Sequence, residues 1–229
     1  MIPLRDDNPT RRLPWITLAL IAANVGAFIY SLGLDQASLA AFWTRWAVVP
    51  ARLLADPLAP AQALTVFTAM FMHAGWLHII GNMLYLWIFG NNIEDRFGPL
   101  GFLAFYLASG VAATAAQVLA TPSATIPNLG ASGAVAGVLA AYLLLFPGAA
   151  IVTLIPIFIF IEIARVPAFI VIGFWFVLQI GNGVASLGTS AANAGGVAWF
   201  AHIGGFVAGL VLAAPAAIAH WAGRRRRYR

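Results

Sequence analysis

The sequence predicts an all-α integral membrane protein, a single bundle of six transmembrane helices with a long interfacial first loop. Three observations carry this. Of 229 residues, 62% are hydrophobic and only 8% charged, with a mean hydropathy of +0.91, whereas soluble domains carry about 25% charged residues. The apolar residues fall in long runs that lack the alternation of a barrel strand, and in lipid such runs satisfy their backbone groups only as helices. All twelve basic residues are arginines, most of them at the two ends beside apolar runs. That arrangement orients a membrane protein rather than building a phosphate-binding face, so no nucleic-acid partner is expected.

The six helices are read, in order, at roughly Ile16–Leu32, Trp76–Phe89, Leu100–Ala120, Ser132–Phe146, Pro167–Ile180 and Ala198–Ile218. A span takes ~20 residues, so the second, fourth and fifth are short and must borrow from their flanks or begin within the bilayer. The first run is longer than a signal peptide's apolar core of ~7–15 residues, and is read as a retained helix. Between the first two helices, the segment Gly33–Ala63 contains "AFWTRWAVVP", with Trp43 and Trp46 around Arg45. Tryptophan and arginine in an apolar setting anchor at the headgroup level. The loops Thr121–Asn128 and Gly181–Gly196 hold no charge and suit mobile covers over a site.

With the N-terminus inside, Arg5, Arg11, Arg12, Arg96, Arg165, Arg224, Arg225, Arg226, Arg227 and Arg229 face the cytoplasm, and only Arg45 and Arg52 lie outside. Ten against two fits the positive-inside rule. The expected organisation is a cytoplasmic tail over residues 1–15, a membrane domain over 16–220 and a basic cytoplasmic tail over 221–229. Short tails without an appended soluble domain point to a prokaryotic inner (plasma) membrane.

Several chemistries are excluded. The chain has no cysteine, which removes disulfides and cysteine-based metal sites. Its seven acids are Asp6, Asp7, Asp35, Asp56, Glu94, Asp95 and Glu162, and none falls inside an apolar span. An intramembrane aspartyl dyad is therefore absent, and no histidine pair brackets a glutamate as HExxH zinc chemistry needs. No metal and no cofactor are expected.

Two short stretches stand out instead. "NLGASGAVAG" carries Ser132 and "AHIGGFVAGL" carries His202, each in a glycine-rich apolar setting. Gly130 and Gly133 flank the serine, and the fourth helix opens there with unpaired N–H groups that suit a developing oxyanion. Gly133 and Gly137 form a GxxxG pair, as do Gly205 and Gly209, and such pairs let two helices approach closely. Packing one glycine face on the other would bring Ser132 and His202 together as nucleophile and base. A third stretch, "MHAGWLHIIGN", sets His78 and Asn82 four apart on one helix face, where their donors could hold an oxyanion beside the Ser132 N–H, with His73 bracing them. With no intramembrane acid, a Ser–His dyad remains. Ala134 breaks the GxSxG elbow of α/β-hydrolases. Phe174 and Trp175 on the fifth helix are candidates for a lateral substrate gate.

These residues resemble the rhomboid family of intramembrane serine proteases, over about Val49 to Ile218. The resemblance rests on "GASG" around Ser132, "AHIGGFVAG" around His202, "HAGWLHIIGN" in the second helix and "GNNIEDRFG" after it. It implies a rhomboid-like bundle, Ser132 as nucleophile and His202 as general base. It also implies an oxyanion hole of His78, Asn82 and the Ser132 N–H, with His73 in support. Glu94 and Arg96 match the family's "ExR" turn, a structural feature. The implied substrates are transmembrane proteins in the lipid bilayer; a catalytically inactive relative that binds transmembrane helices is the alternative. One departure is visible: Leu64-Thr65 stands where many members carry Trp-Arg.

Overall fold

The computed structural model describes residues 1–157, 160–186 and 197–227; most of the expected cover at Gly181–Gly196 lies outside the described residues. Nine α-helices are described: α1 (Trp15–Leu32), α2 (Gln36–Trp46), α3 (Pro50–Ala55), α4 (Pro60–Thr68), α5 (Trp76–Phe97), α6 (Pro99–Ala120), α7 (Ser132–Leu145), α8 (Ala168–Ser186) and α9 (Trp199–Arg227). They are joined by three strands, β1 (Ile2–Asp6), β2 (Ala150–Ile157) and β3 (Phe160–Pro167).

Among the described residues, four helical segments are long and apolar enough to cross a membrane: α1, α6, α8 and Trp199–Gly223 of α9. The stretch Pro60–Phe71 qualifies together with α5, as a pair bent by 82°. Length and composition thus account for four of the six expected spans among the described residues, or five if the bent pair is one span. Two physical reasons account for the difference. The end of α5 is polar, carrying Asn91, Asn92, Glu94, Asp95 and Arg96, and α7 has only 14 residues, about 21 Å at 1.5 Å per residue. The composition and these spans make the chain an integral membrane protein.

The all-α expectation is also corrected. The strands form one antiparallel sheet in the order β1-β2-β3. Sequence 150–167 is rich in isoleucine and valine, which favour a pleated surface, and Pro156 in its middle opposes a helix. Residues 2–6, expected in a tail, pair with β2 from Ile2↔Leu154 to Asp6↔Ile151, and α9 continues through the basic end to Arg227.

The expected long first loop is largely helical, as α2, α3 and the start of α4. It is fixed in place without a Trp-Arg pair. Val48 and Asn128 exchange backbone hydrogen bonds at 3.1 and 2.6 Å, and the Thr68 hydroxyl donates to the Trp46 carbonyl at 2.6 Å. Thr65 is buried and donates locally to the Gln62 carbonyl, while Leu64 is half-exposed. The Arg45 guanidinium lies over the Trp46 ring at 5.1 Å.

Helix α7 forms the centre of the bundle, and eleven of its fourteen residues are buried. Against it, α9 packs glycine on glycine: a Cβ added at Gly205 would run into the Gly133 carbonyl, and one at Gly209 into that of Gly137. Helix α1 begins at Pro14, with no side-chain cap of its own. The carboxylate of buried Glu94, at the end of α5, supplies it. It accepts from Ile16 N at 2.9 Å, Thr17 N at 2.7 Å and Thr17 Oγ1 at 2.8 Å, satisfying orphan donors at a positive helix end. Arg96, the other half of the "ExR" turn, is exposed and makes no described ion pair with Glu94.

Candidate active site

Ser132 is the first residue of α7. The chain reaches it through Gly130, whose φ of 129° lies in the region that favours glycine; its N–H donates to the Ala69 carbonyl at 2.9 Å. The first backbone bond of the new helix runs from Val135 N to Ala131 O. The N–H groups of Ser132, Gly133 and Ala134 therefore precede the ladder and end the helix with donors.

His202 sits one turn into α9 and is 8% exposed. The close glycine contact carries it to the serine: His202 Nε2 lies 2.7 Å from Ser132 Oγ. The other ring nitrogen, Nδ1, is 2.8 Å from Gln179 Oε1 on α8.

His78 borders the same point. A Cβ added at Gly130 would lie 2.7 Å from His78 Nε2 and 3.7 Å from Ser132 Oγ, so glycine there leaves the imidazole room beside the hydroxyl. Asn82 joins through a relay. Its Nδ2 is 2.9 Å from the Nε2 of buried His73, whose ring meets that of His78 edge-on at 4.9 Å. Gly133 and Gly205 act through the helix contact already described. The two gate candidates part company: the Trp175 ring packs 5.9 Å from the His202 ring, whereas Phe174 is 45% exposed and points away from the core.

A small cavity of about 40 Å³ adjoins Ser132; Gly110, Ala113, Gly133 and Ala201 are among the residues that border it, with Thr114, Gln117 and Asn128 as its other polar members. Gln117 Oε1 accepts from Ala201 N at 3.1 Å, fixing the start of α9 to α6. Gln117 and Gln179 were not singled out from the sequence. The signal available was an amide inside an otherwise apolar helix, which in lipid needs a partner.

Fold and site together define a helical integral membrane protein in which a serine and a histidine from two distant helices meet inside the bundle. Residues 60–218 match the Rhomboid domain, more than half of the chain, and the protein belongs to the rhomboid family. It is similar to Rhomboid-like protein 11, chloroplastic, of Arabidopsis thaliana, 41% identical over 73 residues (32% of this chain, 26% of the relative). Rhomboid protein 1, mitochondrial, of Saccharomyces cerevisiae is 32% identical over 159 residues (65% and 40%). Rhomboid protease GluP of Bacillus subtilis is 37% identical over 78 residues (34% and 15%). The chain thus spans well under two thirds of the length of these relatives. Their names cover chloroplast, mitochondrion and a bacterium, and so do not support the prokaryotic inner membrane expected above.

Proposed function

We propose that the protein is an intramembrane serine endopeptidase that hydrolyses peptide bonds of transmembrane substrates near the outer end of their spans. One observation carries this reading: the 2.7 Å approach of His202 Nε2 to Ser132 Oγ. At that distance the imidazole takes the hydroxyl proton as Oγ attacks the scissile carbonyl carbon. The carbonyl electron pair moves onto oxygen, where the Ser132 N–H, His78 and Asn82 are the donors assigned to hold it. Collapse of the intermediate expels the amine, which takes its proton from His202. Water, activated by the same imidazole, then releases the acyl group from Ser132. No acid takes part.

The proposal includes six membrane-embedded helices, α1, α5, α6, α7, α8 and α9, with both termini cytoplasmic, as the arginine distribution favours. The short α7 then begins below the outer surface, and a substrate reaches it between helices, past Phe174. The cavity beside Ser132, bordered by glycine and alanine, suits a small side chain before the cut. Substrate carbonyls inside a helix are shielded, so Gly or Pro near the cut lowers the unwinding cost by ~1–3 kcal/mol per residue.

The test is hydrolysis of a transmembrane reporter by the purified protein in detergent, with product ends read by mass spectrometry. Wild type should cleave near the outer end of the span, after a small residue, more slowly when nearby Gly and Pro become Leu. Ser132→Ala and His202→Ala should each abolish turnover, because the two act as a unit, and a fluorophosphonate should label Ser132 alone. Cleavage that survives Ser132→Ala would sink the reading. A chain that binds the reporter but neither cleaves nor labels is the inactive helix binder.

A further inference from the structure

We propose that Gln179 is a positioning residue for His202, holding the imidazole in the Nδ1–H tautomer so that a neutral amide takes the place an acid occupies in other serine hydrolases. This rests on the hydrolytic role proposed for Ser132 and His202. Gln179 lies on α8, not on the helices that carry the dyad, and is only 6% exposed. The two ends of its amide are told apart by their neighbours. Nε2 donates to the Trp175 carbonyl, one turn back, at 3.0 Å; turning the amide over would set oxygen against oxygen there. Oε1 therefore faces His202 Nδ1 at 2.8 Å.

An amide oxygen only accepts, so Nδ1 carries the imidazole's single proton. The lone pair is left on Nε2, where the Ser132 hydroxyl donates to it across 2.7 Å. That is the tautomer a general base requires. When the serine proton arrives at Nε2, the Nδ1–H bond to Oε1 is kept, and the amide dipole faces the new positive charge. The same arrangement of base and neutral amide serves Cys–His–Asn sites on unrelated folds. Trp175, the residue that fixes the Gln179 amide, also packs its ring on His202, so the base is oriented from α8 by two contacts.

The experiment uses the full chain in detergent, with ¹⁵N-histidine NMR to read the tautomer of His202, assigned by difference with His202→Ala. It is paired with reporter kinetics on Gln179→Met, which keeps length but removes the amide acceptor, and on Gln179→Glu, which keeps an oxygen at Nδ1. Wild type should show Nδ1–H. Gln179→Met should lose roughly 10- to 100-fold in kcat, with KM within about twofold, and show a mixture of tautomers. This is less than the ~10⁴-fold seen when a triad histidine is forced into the wrong tautomer. Gln179→Glu should retain more turnover than Gln179→Met. An Nε2–H tautomer in the wild type overturns the proposal without any variant. So does Gln179→Met with an unchanged tautomer, whatever its rate. Both results leave the hydrolytic reading standing if Ser132→Ala is inactive; that reading fails only if Ser132→Ala still cleaves.

Discussion

Asn82 is tied to His73, and the proposed mechanism sets what its loss should do. One amide hydrogen is committed to His73 Nε2 at 2.9 Å, which fixes the plane of the group; in the proposed mechanism the second hydrogen is the one that serves an oxyanion. Asn82→Ala should therefore lower kcat by roughly 10²–10³-fold with KM little changed, since one donor of several is lost. Steady-state kinetics on the reporter checks this; a rise in KM at constant kcat would assign Asn82 to substrate binding instead. At this scale the sequence was informative wherever a reactive side chain shared a helix with a spacing pattern. Ser132 and His202 each adjoin a GxxxG pair, and His78 and Asn82 stand one turn apart. Gln179 has no such marker. Its importance comes from the packing of α8 on α9, which no spacing within α8 encodes, and Trp175 gained its place against His202 the same way.

Helices α7 and α9 meet backbone to backbone, so a single methyl group is already too much at the crossing. Gly205→Ala would set a Cβ on the Gly133 carbonyl and should cost about 1–3 kcal/mol by overpacking, while slowing fluorophosphonate labelling because the base is pushed off the nucleophile. Gly173→Ala on α8 is the control. A Cβ there meets nothing within 4 Å, and the change should be neutral or stabilising by up to ~1 kcal/mol. Thermal unfolding in detergent separates the two; equal effects would remove the glycine contact as the device that sets the site. The helix positions were legible from apolar runs, but their character was not always. Trp76–Phe97 runs eight residues past the expected end at Phe89, because the polar "GNNIEDRF" stays helical while Glu94 turns inward to cap α1. β2 and β3 pair antiparallel in a stretch where a membrane reading has no reason to seek strands, since it is largely apolar in sequence.

The whole molecule is closed by its N-terminal strand. Besides pairing with β2, β1 sends Asp6 to the hydroxyl of buried Tyr142 on α7, at 2.7 Å, while Asp7 faces Arg165 of β3 at 3.4 Å. Burial raises the Asp6 carboxyl above its ordinary value; the Tyr142 hydroxyl and nearby backbone N–H groups pull it down, and Asp7 adds to the rise. A carboxyl raised on folding stabilises the fold while protonated, and that contribution is lost as pH climbs through the raised value. Asp6→Asn keeps an acceptor for Tyr142 and removes the charge. Its Tm relative to wild type should therefore increase between about pH 4 and pH 7; a difference independent of pH would mean that Asp6 titrates alike in both states. None of this closure follows from composition, since Asp6 and Tyr142 are 136 positions apart and nothing local to "MIPLRDDN" names its partner. One more property of the molecule follows from the four glycines of α7 and α9. A gap set by main chain on main chain has no adjustable part, so drift in the lipid-facing side chains leaves the serine–histidine separation where it is. The outer surface is thus free to vary, while Gly205 and Gly209, each set against a main-chain carbonyl of α7, act as a fixed gauge in which even one added methyl group meets backbone.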